Sequence, residues 1–110
     1  MISLSAYQKD VGLWGKHNFP DASHIWCVLG LAEEVGELSS VYLKRLENIR
    51  PDTATVHNEI DAIGDIIIFL LHLCEMRGFD VESIIFSTWE EVRKRDWKKY
   101  PETGLPNIPR

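Results

Sequence analysis

Apolar positions in this chain recur with the 3.6-residue period of a helix and nowhere keep the two-residue period of a strand for long. Leu4, Tyr7, Val11 and Trp14 mark one stripe and predict a first helix from about Ser3 to Lys16. "KHNFPDAS" interrupts it: Pro20 and the Asn, Asp and Ser content favour a loop, with Asp21 or Ser23 as the next N-cap. A long second helix follows to about Ile49, with Val28, Leu31, Val35, Leu38, Tyr42, Leu46 and Ile49 on one face. In "NIRPDT", Pro51 disfavours helical geometry at Arg50, and Asp52 or Thr53 can cap a third helix. That helix extends to Arg77, where Gly78 supplies a stop. Asp80 caps a fourth helix, which ends near Tyr100 before Pro101. The expected fold is an all-α four-helix bundle over residues 1–100, followed by an extended, Pro-rich tail over 101–110.

One segment bears on assembly. "DIIIFLLHLC" in the third helix is apolar nearly all the way round, so it needs cover on every side. Three other short helices cover it poorly in a chain of 110 residues, which leads to the expectation of a homo-oligomer with a shared bundle. The alternative is that the first helix and the tail cover it.

Composition narrows the class. The chain is 45% apolar and 26% charged, as for an ordinary globular domain, and its net charge of −5 argues against a nucleic-acid partner held through phosphates. The apolar run from Ile66 to Cys74 is about half a bilayer span, and "MISLSAYQKD" lacks the pattern of a signal peptide. No membrane association and a cytoplasmic location are therefore expected. Cys27 and Cys74 have no C-x-x-C spacing and sit among apolar residues, the pattern of buried thiols.

The chemistry concentrates in acids. On the second helix Glu34 borders the apolar stripe, with Glu37 about 60° further round, so the two are neighbours, while Glu33 is expected on the other flank. On the third, Asp61 and Asp65 are an i, i+4 pair sharing a side with Asn58, Ile68 and His72, and Glu59 points away. Four carboxylates beside buried surface need an offsetting charge. A hard cation such as Mg²⁺, with Mn²⁺ as a substitute, takes oxygen ligands and shares its shell with phosphates. Glu34, Glu37, Asp61 and Asp65 are thus the candidate metal ligands. The plainer reading is that they form solvated helix faces with lysine partners. No E-x-x-H, H-E-x-x-H, G-x-x-x-x-G-K-[ST] or G-x-S-x-G pattern occurs, and His72 reads as a histidine at the edge of the core.

"EEVGEL", "DAIGDIIIFLLHL" and "VRKRDWKKYPETG", in this order, resemble the MazG-like nucleotide pyrophosphohydrolases over nearly the whole chain. The resemblance implies an all-α dimer or tetramer that hydrolyses nucleoside triphosphates to monophosphate and pyrophosphate with Mg²⁺. Glu34 and Glu37 match the family's E-x-x-E, and Asp65 matches the final acid of its E-x-x-D. Ala62 stands where that pattern has Glu, and Asp61 is the candidate replacement. Glu34 or Glu37 would orient or deprotonate the attacking water. Arg93, Arg95, Lys98 and Lys99 resemble the family's basic helix end near the triphosphate, and Asp96 lies where many members have Asn. Trp14, Lys16, His17 and Phe19 fall in the loop that helps close the family's base pocket, with Trp26 opening the second helix. The rival expectation is a non-catalytic oligomer of the same fold that binds a nucleotide or a protein, its metal site degraded at Ala62.

Overall fold

A computed structural model describes residues 2–106. These form four helices, α1 (Leu4–Asn18), α2 (His24–Glu47), α3 (Val56–Arg77) and α4 (Val81–Val92), with no strand among the described residues. Ser3 caps α1 by accepting from the Ala6 N–H at 3.1 Å, as its hydroxyl and position suggest. Of the two candidates for α2, Ser23 is the N-cap. Helix α2 stops at Asn48, whose left-handed conformation (φ 57°) suits the short amide side chain.

Neither Asp52 nor Thr53 caps α3. Thr55 does, accepting from the Asn58 N–H at 3.1 Å. The intervening loop folds into a turn instead, tied by the Thr53 hydroxyl to the Arg50 carbonyl and by Arg45 Nε to the Ala54 carbonyl at 2.9 Å. Gly78 ends α3 with φ 69°, as expected.

Helix α4 is shorter than its sequence suggests, ending at Val92 rather than near Tyr100. Asp96 is the cause: its carboxylate accepts from the backbone N–H groups of Lys98 and Lys99, a local bond that competes with helix continuation. The chain then turns back, with the Asp96 N–H on the Gly104 carbonyl at 2.8 Å. Residues 101–105 consequently curl onto Arg95 instead of extending, and the expected tail beyond residue 106 lies outside the described residues.

Helices α2 and α3 form a long antiparallel hairpin. Cys27 meets Met76 near one end (Sγ–Sδ 3.7 Å), and Arg45 meets Glu59 near the other (Nη1–Oε1 3.0 Å). Small residues allow close approach: a Cβ at Gly30 would sit 2.4 Å from the Phe69 ring, and Ala62 is 3% exposed. Helix α1 packs antiparallel along the C-terminal half of α3, with Gly12 against Glu75 and Gly15 against the His72 ring. Val11, Leu71, Cys74 and Val81 make the small core where α1, α3 and the first turn of α4 meet. Gln8, buried there, donates to the Phe79 carbonyl (2.6 Å) and Glu75 (3.2 Å) and accepts from the Val81 N–H (2.9 Å), so one side chain joins three helices. Both cysteines are buried free thiols.

The apolar stripe of α2 does not face α3. The side of α2 against α3 carries Cys27, Gly30, Glu34 and Val41, roughly a quarter turn round from the stripe. Val28, Val35, Tyr42, Leu46 and Ile49 are left exposed. The hairpin chooses the side with small residues because backbone approach, rather than apolarity alone, decides its packing.

Candidate metal centre

This rotation of α2 carries the acids into the crevice between the hairpin helices. Glu33, Glu34 and Glu37 bring one carboxylate oxygen each to within 4.8 Å of one another. Glu33 therefore joins Glu34 and Glu37 instead of pointing to another flank. Its i, i+4 relation to Glu37 was the available signal.

Glu34 is the member under stress. Its Oε2 is buried and has no hydrogen-bond partner. Loss of water pushes its carboxyl above the usual carboxylate range, and the charges of Glu37 and Asp65 push it further. That charge coupling also puts Asp65 of α3 within electrostatic reach of the α2 acids.

Beside them a cavity of about 330 Å³ opens between α2 and the first turns of α3. Glu37, Asp61 and Asp65 line it together, as do Asn58 and the wall residue Ala62. Three of the four acids singled out in the sequence thus share one hollow, with Glu34 adjoining it through Glu37. Asp61 stands at the rim, 61% exposed at its side chain, with Oδ2 3.2 Å from His57 Nε2. Asn58 is tied to the Thr53 carbonyl at 2.9 Å. Glu59 points away as expected: it pairs with Arg45 and accepts from the Tyr42 hydroxyl, bonds that lower its pKa and raise that of Tyr42.

The cation in this hollow is Lys44, which lines it with Ser40 and Thr53. It was not among the candidates, although its i, i+7 spacing from Glu37 puts the two on one side of α2. Arg93, Arg95, Lys98 and Lys99 do not line it. Arg93 pairs with Glu90 (3.3 Å), and Arg95 donates to the Thr103 carbonyl and lies over Trp97. Lys99 lies over Tyr100, and the Asp96 carboxylate is taken up by backbone N–H groups. These residues follow a helix that leaves the bundle after its first turn, which is why one chain does not bring them to the acids.

The four base-pocket candidates divide. Lys16 and Phe19 line a second cavity of about 220 Å³ with Pro20, His72, Glu75 and Met76, whereas Trp14 and His17 do not. Trp14 packs edge-on against Phe19 (5.6 Å), which in turn meets Trp26 (4.9 Å). His72 is 2% exposed, and burial lowers its pKa, favouring the neutral ring. His72 and Glu75 as cavity walls were not foreseen. His72 lies two turns beyond Asp65 on the same side of α3, about 10 Å along its axis.

The chain matches no family model, no curated protein and no solved structure. The donors themselves give the measure of fit to a metal. A buried carboxylate oxygen without a partner, three clustered glutamates and an adjoining polar hollow are the chemistry a hard cation requires. No helix among the described residues is long and apolar enough to cross a membrane.

Proposed function

We propose that the chain is a Mg²⁺-dependent nucleoside triphosphate pyrophosphohydrolase, a MazG-like bundle completed by association of copies and acting in nucleotide-pool clearance. The observation that carries this reading is the unpartnered Glu34 oxygen among Glu33, Glu37 and Asp65, an arrangement costly without a counter-charge. Glu34, Glu37 and Asp65 would hold Mg²⁺, or Mn²⁺ in its place, with Asp61 at the rim standing in for the acid missing at Ala62. When bound, the ion withdraws charge from phosphate oxygens and makes phosphorus easier to attack.

The remaining work belongs to side chains. Glu37, exposed at the hollow, would orient a water and take its proton as the water attacks the α-phosphate. Lys44 would hold the leaving pyrophosphate by a charge-assisted contact. Phe19 offers a face for the base, with Lys16, His72 and Glu75 as edge partners.

Ala62 and the local pairing of Arg93 and Arg95 favour a second reading, a non-catalytic oligomer that binds a nucleotide or a protein. The test is pyrophosphate release from a panel of ribo- and deoxyribonucleoside triphosphates, with Mg²⁺ or EDTA, for the wild type and Glu37→Gln. Release that needs Mg²⁺ and is lost in the variant supports the hydrolase. Release indifferent to both removes the metal mechanism, and no turnover of any nucleotide leaves the second reading.

A further inference from the structure

The second cavity, at about 220 Å³, is smaller than the roughly 300–1,000 Å³ of sites that hold drug-sized ligands, so it suits a single ring. Phe19, Pro20, Ala22 and Met76 supply its apolar wall. Trp26, with its ring centroid 4.9 Å from that of Phe19, braces the aromatic part of this wall. A flat, single-ring ligand stacks well on such a surface.

Three polar side chains complete the lining, and the packing of α1 on α3 sets their order. Gly12 faces Glu75 and Gly15 faces His72. Lys16, next to Gly15, therefore stands at the His72 end, about 6 Å along α1 from Gly12. Glu75 is held by Gln8, which donates to Oε1 at 3.2 Å and leaves Oε2 for a second donor. Burial alone lowers the His72 pKa, and no hydrogen bond among the described residues engages its ring. A neutral imidazole has one N–H donor and one bare acceptor, and adopts the tautomer its ligand requires. Lys16 only donates. From Glu75 to Lys16 the wall thus offers an acceptor, an adaptable group and a donor.

Nucleobases differ in how they meet that order. Cytosine has an amine at one end of its pairing edge, a ring acceptor in the middle and a carbonyl at the other end, which match Glu75, the His72 N–H and Lys16 in turn. Uracil and thymine have a carbonyl at both ends, so one carbonyl oxygen must face the Glu75 carboxylate. Guanine has suitable ends, its amine for Glu75 and its carbonyl for Lys16, but adds a second ring to a small cavity. We infer that this cavity selects cytosine over uracil, thymine and guanine, with Glu75 taking the exocyclic amine and Lys16 the carbonyl. The inference rests on the cavity being the base site of the proposed function and names the base, but it does not depend on the metal chemistry.

Calorimetric titration with deoxynucleoside monophosphates in EDTA tests it without hydrolysis. Deoxycytidine monophosphate should bind about tenfold or more tighter than the deoxyuridine or deoxyguanosine monophosphate, because a site built around one hydrogen-bonding edge rejects a ring that leaves its groups unpaired. Glu75→Gln, whose amide turns either atom to the ring, should bring the cytosine and uracil nucleotides to within about threefold of each other. Lys16→Met, which leaves the Gln8 contact intact, should weaken the cytosine nucleotide by about tenfold even where the Glu75 variant fails to fold. A wild type that binds the uracil or guanine nucleotide as tightly as the cytosine one overturns the inference. So does a folded Glu75→Gln protein with the full preference, a Lys16→Met protein of unchanged affinity, or a wild type that binds none of the three. Mg²⁺-dependent pyrophosphate release without base preference would leave the proposed function standing and remove this inference. A cytosine preference in EDTA without turnover of any triphosphate would support the inference and remove the hydrolase.

Discussion

Replacing Glu34 by Gln tests the site through stability, without any substrate. Glu34 has one buried, unpartnered oxygen beside Glu37 and Asp65, whose charges oppose its ionisation. An unsatisfied buried group costs about 1–3 kcal/mol, and the amide keeps the shape while losing the charge. Because the amide also leaves one polar atom unpaired, a net gain of about 1 kcal/mol is expected, which for a chain this size raises Tm by about 4–8 °C. The pH dependence follows in sign. The folded-state pKa of Glu34 lies above its ordinary value, so the folded chain binds more protons here than the unfolded one. Its destabilising effect is absent below the ordinary carboxylate pKa, grows as pH rises through the raised one, and is complete above it. Calorimetry in EDTA should therefore show the Tm difference between Glu34→Gln and wild type widening as pH rises from about 4.5. Added Mg²⁺ should reverse the order. A ligand at a hundred times its Kd stabilises by about 2.7 kcal/mol, and the wild type should gain this while the variant gains little. A variant less stable than wild type in EDTA at neutral pH, or equally stabilised by Mg²⁺, would refute the reasoning.

Other substitutions probe the frame and the proposed phosphate contact. Gln8→Ala removes a buried link among α1, the α3–α4 turn and α4, leaving the Val81 N–H and Phe79 carbonyl unpaired; a loss of about 2–4 kcal/mol should appear in urea denaturation. Gly30→Ala forces a methyl to 2.4 Å from the Phe69 ring, whereas a Cβ at Gly36 meets nothing within 4 Å. The first should cost about 1–3 kcal/mol and the second gain up to about 1 kcal/mol, so thermal melts should differ in sign. In pyrophosphate-release kinetics Lys44→Ala should raise KM about tenfold or more, the worth of one charge-assisted bond, while Arg93→Ala, already paired with Glu90, stays within about twofold.

Local signals in the chain decided where the backbone turns. Ser3 acts through its own hydroxyl and Gly78 through its φ angle, and the 3.6-residue period needs no neighbours to be read. The sharing of one hollow by Glu37, Asp61 and Asp65 was also legible, since helical spacing fixes direction within each rod. What the sequence could not settle was the rotation of one rod against another. The widest apolar stripe marks what must be covered, but not by what. Gly30 and Ala62 drew α3 to the acid-bearing side of α2 and left Val35, Tyr42 and Leu46 bare, because close backbone approach outweighs stripe width in that pair. The same rotation brought Glu33 and Lys44 to the site. Asp96, by bonding its own backbone, ended α4 early and kept the basic segment away. Those outcomes are competitions between contacts distant in sequence, so only the tertiary structure decides them.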